Sequence, residues 1–103
     1  MRILLIDDLR TFNGIDVIAR NYYEGIRQLE INGPWDMLYL DHDLGGARNN
    51  SYSTDLNREM TGYDILCWLE EHREFLPKEI ILVTDNAVGR QKMQPVIDNL
   101  YSK

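Results

Sequence analysis

Three short apolar runs stand out along the chain: Ile3-Leu4-Leu5-Ile6, Met37-Leu38-Tyr39-Leu40 and Ile80-Ile81-Leu82-Val83. Unbroken runs of bulky or β-branched residues at that length read as strands buried on both faces, as in parallel sheets. They predict strands over 3–7, 36–41 and 80–83. Residues 16–20 fit either a short strand or the start of a helix. Asn21 favours the strand, because it is a good N-cap with Glu24 three residues on, a capping-box-like pairing. From that cap Tyr22, Ile26 and Leu29 fall on one helical stripe, which Asn32-Gly33-Pro34 ends. Gly25 inside this helix costs about 1 kcal/mol relative to Ala, and no reason for it is visible in the sequence. Thr61 caps a second helix with the stripe Ile65, Leu66 and Leu69, ending before Pro77. A third carries Met93, Val96, Ile97 and Leu100, with Pro95 predicting a kink or a start near Gln94. Residues 8–14 read as a loop. Residues 45–60 lack apolar periodicity and are rich in Gly, Asn, Ser and Thr, the signature of a long surface loop, and loops of that length are usually functional or disordered.

Strands alternating with helices predict an α/β fold: a mostly parallel sheet of three to four strands, about three helices and right-handed crossovers. A length of 103 residues predicts one domain spanning 1–103, and 44% apolar with 27% charged residues excludes wholesale disorder. The formal net charge of -6 excludes general binding of a nucleic-acid backbone, which depends on Lys and Arg neutralising phosphates. The single cysteine, Cys67, cannot form an internal disulfide and reads as a buried helical thiol. No apolar run approaches the roughly 20 residues of a membrane span, and no signal-peptide pattern is present. The expectation is a cytoplasmic protein without membrane contact.

The candidate chemistry sits where the apolar runs stop. Asp7-Asp8 closes the first, Asp41-His42-Asp43 the second and Thr84-Asp85-Asn86 the last. In open parallel sheets ligands bind at the carboxyl ends of strands, so these three ends predict one site. Like charges gathered there need a cation, a shared proton or a function. Asp7, Asp8, Asp41 and Asp43 suit Mg²⁺, with Asp43 the weakest member; alternatively some of them cap turns or face solvent. His42 reads either as a proton donor or phosphate ligand, or as a histidine bonded to the backbone. Asn86, Gly89 and Arg90 lead into the last helix, whose N–H groups suit an anion. Arg10 can close the same pocket with a bidentate grip on phosphate. For Arg10 and Arg90 the alternative is charge pairing with the acids. Thr61-Gly62 reads as an ordinary helix start, Trp35 and Trp68 as packing residues, and Lys92 as solvent-exposed.

An acid pair ending the first strand, Asp41 ending a middle strand, Thr61-Gly62 and Thr84 together resemble response-regulator receiver domains. No fifth strand with the receiver lysine follows Thr84, and only one helix separates Asp8 from Asp41. The chain is more similar to the compact cyclic-phosphate-processing receiver-like family. That pattern is an acid pair then Arg, Leu-Asp-His-Asp-Leu-Gly, Thr-Gly-x-Asp and His-Ser-x-Asn-x-x-Gly. Here it stands as Asp7-Asp8-Leu9-Arg10, Leu40-Asp41-His42-Asp43-Leu44-Gly45, Thr61-Gly62-Tyr63-Asp64 and Val83-Thr84-Asp85-Asn86-Ala87-Val88-Gly89. The family histidine falls on Val83 and its serine on Thr84. The likeness spans nearly the whole chain except an inserted loop at about 45–60.

The resemblance implies a truncated, flavodoxin-like receiver fold. It also implies binding, and hydrolysis, of a small cyclic-phosphate nucleotide or ribose phosphate with Mg²⁺. Asp41, His42 and Asp8 would then be catalytic, Asp7, Asp8, Asp41 and Asp43 metal-binding, and Arg10, Thr84, Asn86, Gly89 and Arg90 substrate-binding. The alternative is a non-catalytic regulatory protein of the same fold that binds a nucleotide or a protein partner. A receiver phosphorylated at Asp41 is a third reading, disfavoured by the missing strand and lysine.

Overall fold

The first apolar run becomes the centre of the sheet because it is paired on both sides. In the computed structural model, which describes residues 1–44 and 60–102, β1 (Ile3–Ile6) lies between β2 (Val17–Ala19) and β3 (Met37–Leu40), and β4 (Glu79–Leu82) adds beyond β3. All three pairings are parallel, in the order β2-β1-β3-β4. Leu4, Leu5 and Ile6 are fully buried, as a central parallel strand demands. The expected strands are trimmed at their ends, and the last begins one residue earlier than predicted. The ladder still reaches past it, since the Val83 N–H donates to Leu40 O at 3.0 Å.

Three helices connect the strands: α1 (Tyr22–Ile31), α2 (Gly62–Glu71) and α3 (Ala87–Leu100), with a 3₁₀ turn at Arg73–Phe75. The crossovers β2-α1-β3 and β3-α2-β4 both step across the sheet in the same direction, so right-handed connections bring these helices to one face. They pack as a row, α1 on α2 and α2 on α3. Leu29, Ile65, Leu66, Leu69, Met93 and Ile97 bury their stripes against Leu4, Ile6, Leu38 and Leu40 of the sheet.

The ambiguous segment at 16–20 is the edge strand β2, and Asn21 is the cap expected: its side chain accepts from Glu24 N at 2.9 Å. The reciprocal bond differs from the predicted pairing, for Glu24 reaches back to the N–H of Arg20 rather than Asn21, at 2.8 Å. Gly25 gains a reason, because a Cβ there would stand 2.7 Å from Ile6 Cδ1 on β1. The expected start of the last helix near Gln94 is corrected. The Asn86 side chain caps it by accepting from Gly89 N at 2.9 Å, so α3 begins at Ala87 and Pro95 sits inside it on the exposed side.

Cys67 is half-buried rather than buried, with burial pushing its thiol pKa up. Trp35 is a packing residue as expected, buried with Nε1 donating to Gln28 O at 3.1 Å. Trp68 stacks on His72, ring centroids 4.2 Å apart. The expected insertion at 45–60 falls, apart from Met60, outside the described residues. No helix among those described is long and apolar enough to cross a membrane.

From β1 the chain steps to β2 on one side and then to β3 on the other. The topological switch point therefore lies between the carboxyl ends of β1 and β3, where a crevice opens in sheets of this kind.

Candidate functional site

Register builds the acid cluster. Ile6 pairs with Leu40 and Leu40 with Leu82, so the next residues, Asp7, Asp41 and Val83, stand side by side across three strands. The N–H of Asp41 donates to Ile6 O and that of Asp7 to Ala19 O, both at 3.0 Å, which fixes the two acids at the switch point. Carboxylate oxygens of Asp7, Asp8 and Asp41 all come within 4.8 Å of one another. Asp7 is 0% and Asp41 4% exposed, so their charges require partners.

Those partners are close by. Asp7 Oδ1 accepts from the N–H groups of Leu9 (2.9 Å) and Arg10 (3.0 Å), folding the loop after β1 back over its own carboxylate. Arg10 then returns its guanidinium, placing Nη1 3.2 Å from Asp7 Oδ2 and 3.5 Å from Asp41 Oδ1. Its Nη2 reaches Asp85 Oδ2 at 2.7 Å. The hydrogen bond to Asp7 and the surrounding carboxylates hold the Arg10 pKa above its ordinary value. Arg20 secures the same turn from below, with Nη1 donating to Arg10 O (2.8 Å) and Asp7 O (3.3 Å).

Asp41 is the perturbed acid. Burial, then the charge of Asp7, pushes its pKa up; the Thr84 hydroxyl, Arg10 and the His42 N–H oppose the shift without cancelling it. The His42 N–H lies 2.9 Å from Asp41 Oδ1, and Thr84 Oγ1 accepts from Asn86 N at 3.0 Å. Behind Asp41, Gly62 at the start of α2 donates to His42 O at 2.9 Å. A Cβ at this glycine would stand 2.0 Å from the Asp41 carbonyl oxygen. Thr61 caps α2 as expected, in a full capping box with Asp64, and that cap aims the glycine at the end of β3.

The resulting cleft has a volume of about 330 Å³. Of the sequence candidates, Asp7, Asp8, Asp41, Asp43, Arg10, Thr84 and Asn86 line it. Asp43 stands outside the three-acid cluster, its side chain 59% exposed and 3.0 Å from His42 Nδ1. His42, Gly89 and Arg90 do not line the cleft. The His42 ring lies against α3, with Nδ1 also 3.4 Å from Asn86 Nδ2. The Gly89 N–H is taken by the Asn86 cap, and Arg90 Nη2 donates to Thr84 O at 2.9 Å. These two residues therefore support the site through Asn86 and Thr84. Sequence reasoning placed Asp85 at the predicted strand-end site without giving it a role, and it missed Arg20 and the abutment by Gly62. Asp85 had a signal, being a strand-end acid beside Thr84, whereas Arg20 had none.

Gly89 makes a testable contact. A Cβ there would lie 2.6 Å from His42 Cγ. Overpacking of this kind costs about 1–3 kcal/mol, and the helix-propensity gain of alanine returns about 1 kcal/mol. Gly89→Ala is expected to lower stability by about 0–2 kcal/mol while displacing the His42 ring. Chemical denaturation and the ring proton resonances of His42 check the two parts, and unshifted resonances would contradict the contact.

The model of the cyclic-phosphate processing receiver domain matches residues 2–99 of the chain. No curated protein and no solved structure matches it.

Proposed function

The chain belongs to the cyclic-phosphate processing receiver domain family, and from that premise we propose that its strand-end cleft binds a small cyclic-phosphate nucleotide or ribose phosphate with Mg²⁺ and hydrolyses it. The observation that carries this reading is the convergence of Asp7, Asp8 and Asp41 within 4.8 Å at the switch point, beside Arg10 and Thr84. The donor set fits the cation: all three ligands are hard carboxylate oxygens, which Mg²⁺ prefers. When bound, Mg²⁺ supplies charge neutralisation and Lewis-acid polarisation of the phosphate oxygens.

The chain's own residues divide the remaining work. The Arg10 fork takes phosphate oxygens, a task for which a planar guanidinium is suited. The Asp41 carboxylate is held at Oδ1 by the His42 N–H and is also bonded by the Thr84 hydroxyl, so both residues orient it. Asp8, half-buried at the cleft, is the group to take a proton from the water that attacks phosphorus and to return it to the ribose oxygen released as the P–O bond of the ring breaks. His42 acts through its hold on Asp41 and through Asn86, since its ring lies outside the cleft. Asp43 lies outside the cluster and serves at the rim. A volume of about 330 Å³ is at the lower end of ligand pockets, roughly 300–1,000 Å³. It suits a ribose phosphate, with any base left outside.

A second reading is a non-catalytic protein of the same fold that holds such a ligand intact. Its support is Val83, which stands in register beside Asp41 where the family pattern has histidine, and which offers no proton. The phosphorylated-receiver reading has less support, because among the described residues the sheet ends at β4. Incubation with 2′,3′-cyclic and 3′,5′-cyclic nucleotides and ribose phosphates, with Mg²⁺ or Mn²⁺, separates the first two. Linearised product is the expected result, and a ligand that raises the melting temperature but is recovered unchanged would favour the second. If no phosphorylated compound stabilises the protein or turns over, both fail.

A further inference from the structure

We propose that Arg10 is a displaceable internal counter-cation of the acid cluster, latched inward by Asp85, so that a divalent cation binds by expelling its guanidinium. The inference rests on the metal site proposed above and adds what occupies that site before the metal does. Nη1 lies 3.2 Å from Asp7 Oδ2 and 3.5 Å from Asp41 Oδ1, among the oxygens that a divalent cation would claim. Two cations at one set of carboxylates repel, so the guanidinium must leave as the metal enters. The backbone of Arg10 is pinned by its N–H on Asp7 and its carbonyl under Arg20, while its side chain is 33% exposed. Only the side chain needs to swing, and it has a route to solvent.

Asp85 decides which state is favoured. Its carboxylate holds Nη2 at 2.7 Å while Nη1 faces the acids, so the bridge stabilises the inward arginine. Once expelled, the same fork is free for phosphate beside the metal. Metal and phosphate binding then reinforce one another, reciprocally, as linkage requires.

The sign of one substitution separates this latch from simple Coulomb attraction. Removing a carboxylate near a cation site should weaken metal binding through space. The latch requires Asp85→Asn to tighten it, because the inward arginine loses its outer hold. Binding of Mg²⁺ or Mn²⁺ to the metal-free full chain, measured by calorimetry without any substrate, gives the readout. Arg10→Gln is expected to tighten binding about tenfold, and Asp85→Asn by about two- to fourfold, since its side chain is 94% exposed and its pair with Arg10 is screened. In the Arg10→Gln background the tightening by Asp85→Asn should vanish, leaving at most the small through-space weakening. Asp85→Asn is at the surface, so it remains informative if Arg10→Gln folds poorly. Weakened or unchanged affinity in Asp85→Asn overturns the latch while leaving the metal site standing. Absence of divalent binding in all variants overturns both the latch and the metal part of the proposed function.

Discussion

Gly62→Ala is expected to destabilise the protein by about 3 kcal/mol or more and to disorganise the acid cluster at the same time. Alanine's Cβ would meet the Asp41 carbonyl oxygen at 2.0 Å and its carbonyl carbon at 3.0 Å. Both are backbone atoms at the end of β3, anchored by the bond from Asp41 N to Ile6 O and by the bond from Gly62 N to His42 O. The third neighbour, Met93 Cε at 2.9 Å, is the flexible end of a side chain and can move aside. The carbonyl cannot, so either the start of α2 or the end of β3 must shift. Overpacking alone costs about 1–3 kcal/mol, and a backbone shift adds to it. For a domain of this size that is a fall in melting temperature of roughly 12–24 °C. Thermal denaturation gives the first readout, and divalent-cation affinity the second, because Asp41 moves with its carbonyl. A loss below about 1 kcal/mol with unaltered metal binding would contradict the placement of Gly62 as the abutment behind Asp41.

The same residue shows what the sequence could and could not reveal. Thr61-Gly62-Tyr63-Asp64 is legible as a helix start, because a capping box is a local pattern and its partners lie within four residues. The abutment on Asp41 joins residues 21 apart in the chain, and no local pattern carries it. The strands were legible for a comparable reason: Ile3–Ile6, Met37–Leu40 and residues 80–82 are short apolar runs with polar ends. Only β1 is buried on both faces as expected, while β3 and β4 alternate buried residues with half-buried or exposed ones. Gly25 was illegible because its reason is Ile6, on a strand 19 residues earlier. At the site, the acids were found because strand ends and parallel topology place them together whatever the loops do. The roles of His42 and Gly89 were less legible, since the direction of a side chain just past a strand end depends on the turn that follows. There the His42 ring packs against α3, and the Gly89 N–H that sequence assigned to an anion is taken by Asn86. Pro95 misled for a related reason: a proline argues against helix locally, but the Asn86 cap and the buried stripe of Met93, Ile97 and Leu100 carry α3 through it.

Asp41→Asn is expected to remove divalent-cation binding and ligand turnover while raising, not lowering, the stability of the metal-free protein. The carboxyl at position 41 is 4% exposed, and burial is the largest cause of its raised pKa, with the Asp7 charge next. A raised native pKa means that the folded protein holds this proton more tightly than the unfolded chain. Stability from this group is therefore full below the ordinary carboxylate pKa and is lost as pH rises through the raised native value. At neutral pH the ionised carboxylate is a net cost. The pairing with Arg10 Nη1 at 3.5 Å and the bond from the Thr84 hydroxyl offset it only in part. Asparagine keeps an acceptor oxygen for the His42 N–H without the charge. The variant should therefore melt above wild type near pH 7. The gap should close as pH falls and wild-type Asp41 takes up its proton. Other carboxylates titrate in both proteins, so the difference between their melting curves across pH isolates Asp41. Added Mg²⁺ should raise the melting temperature of wild type and leave the variant unmoved. An Asn variant that is less stable at every pH would show that Asp41 is held chiefly by Arg10 and Thr84, as a structural ion pair. One that still gains stability from Mg²⁺ would remove Asp41 from the metal site.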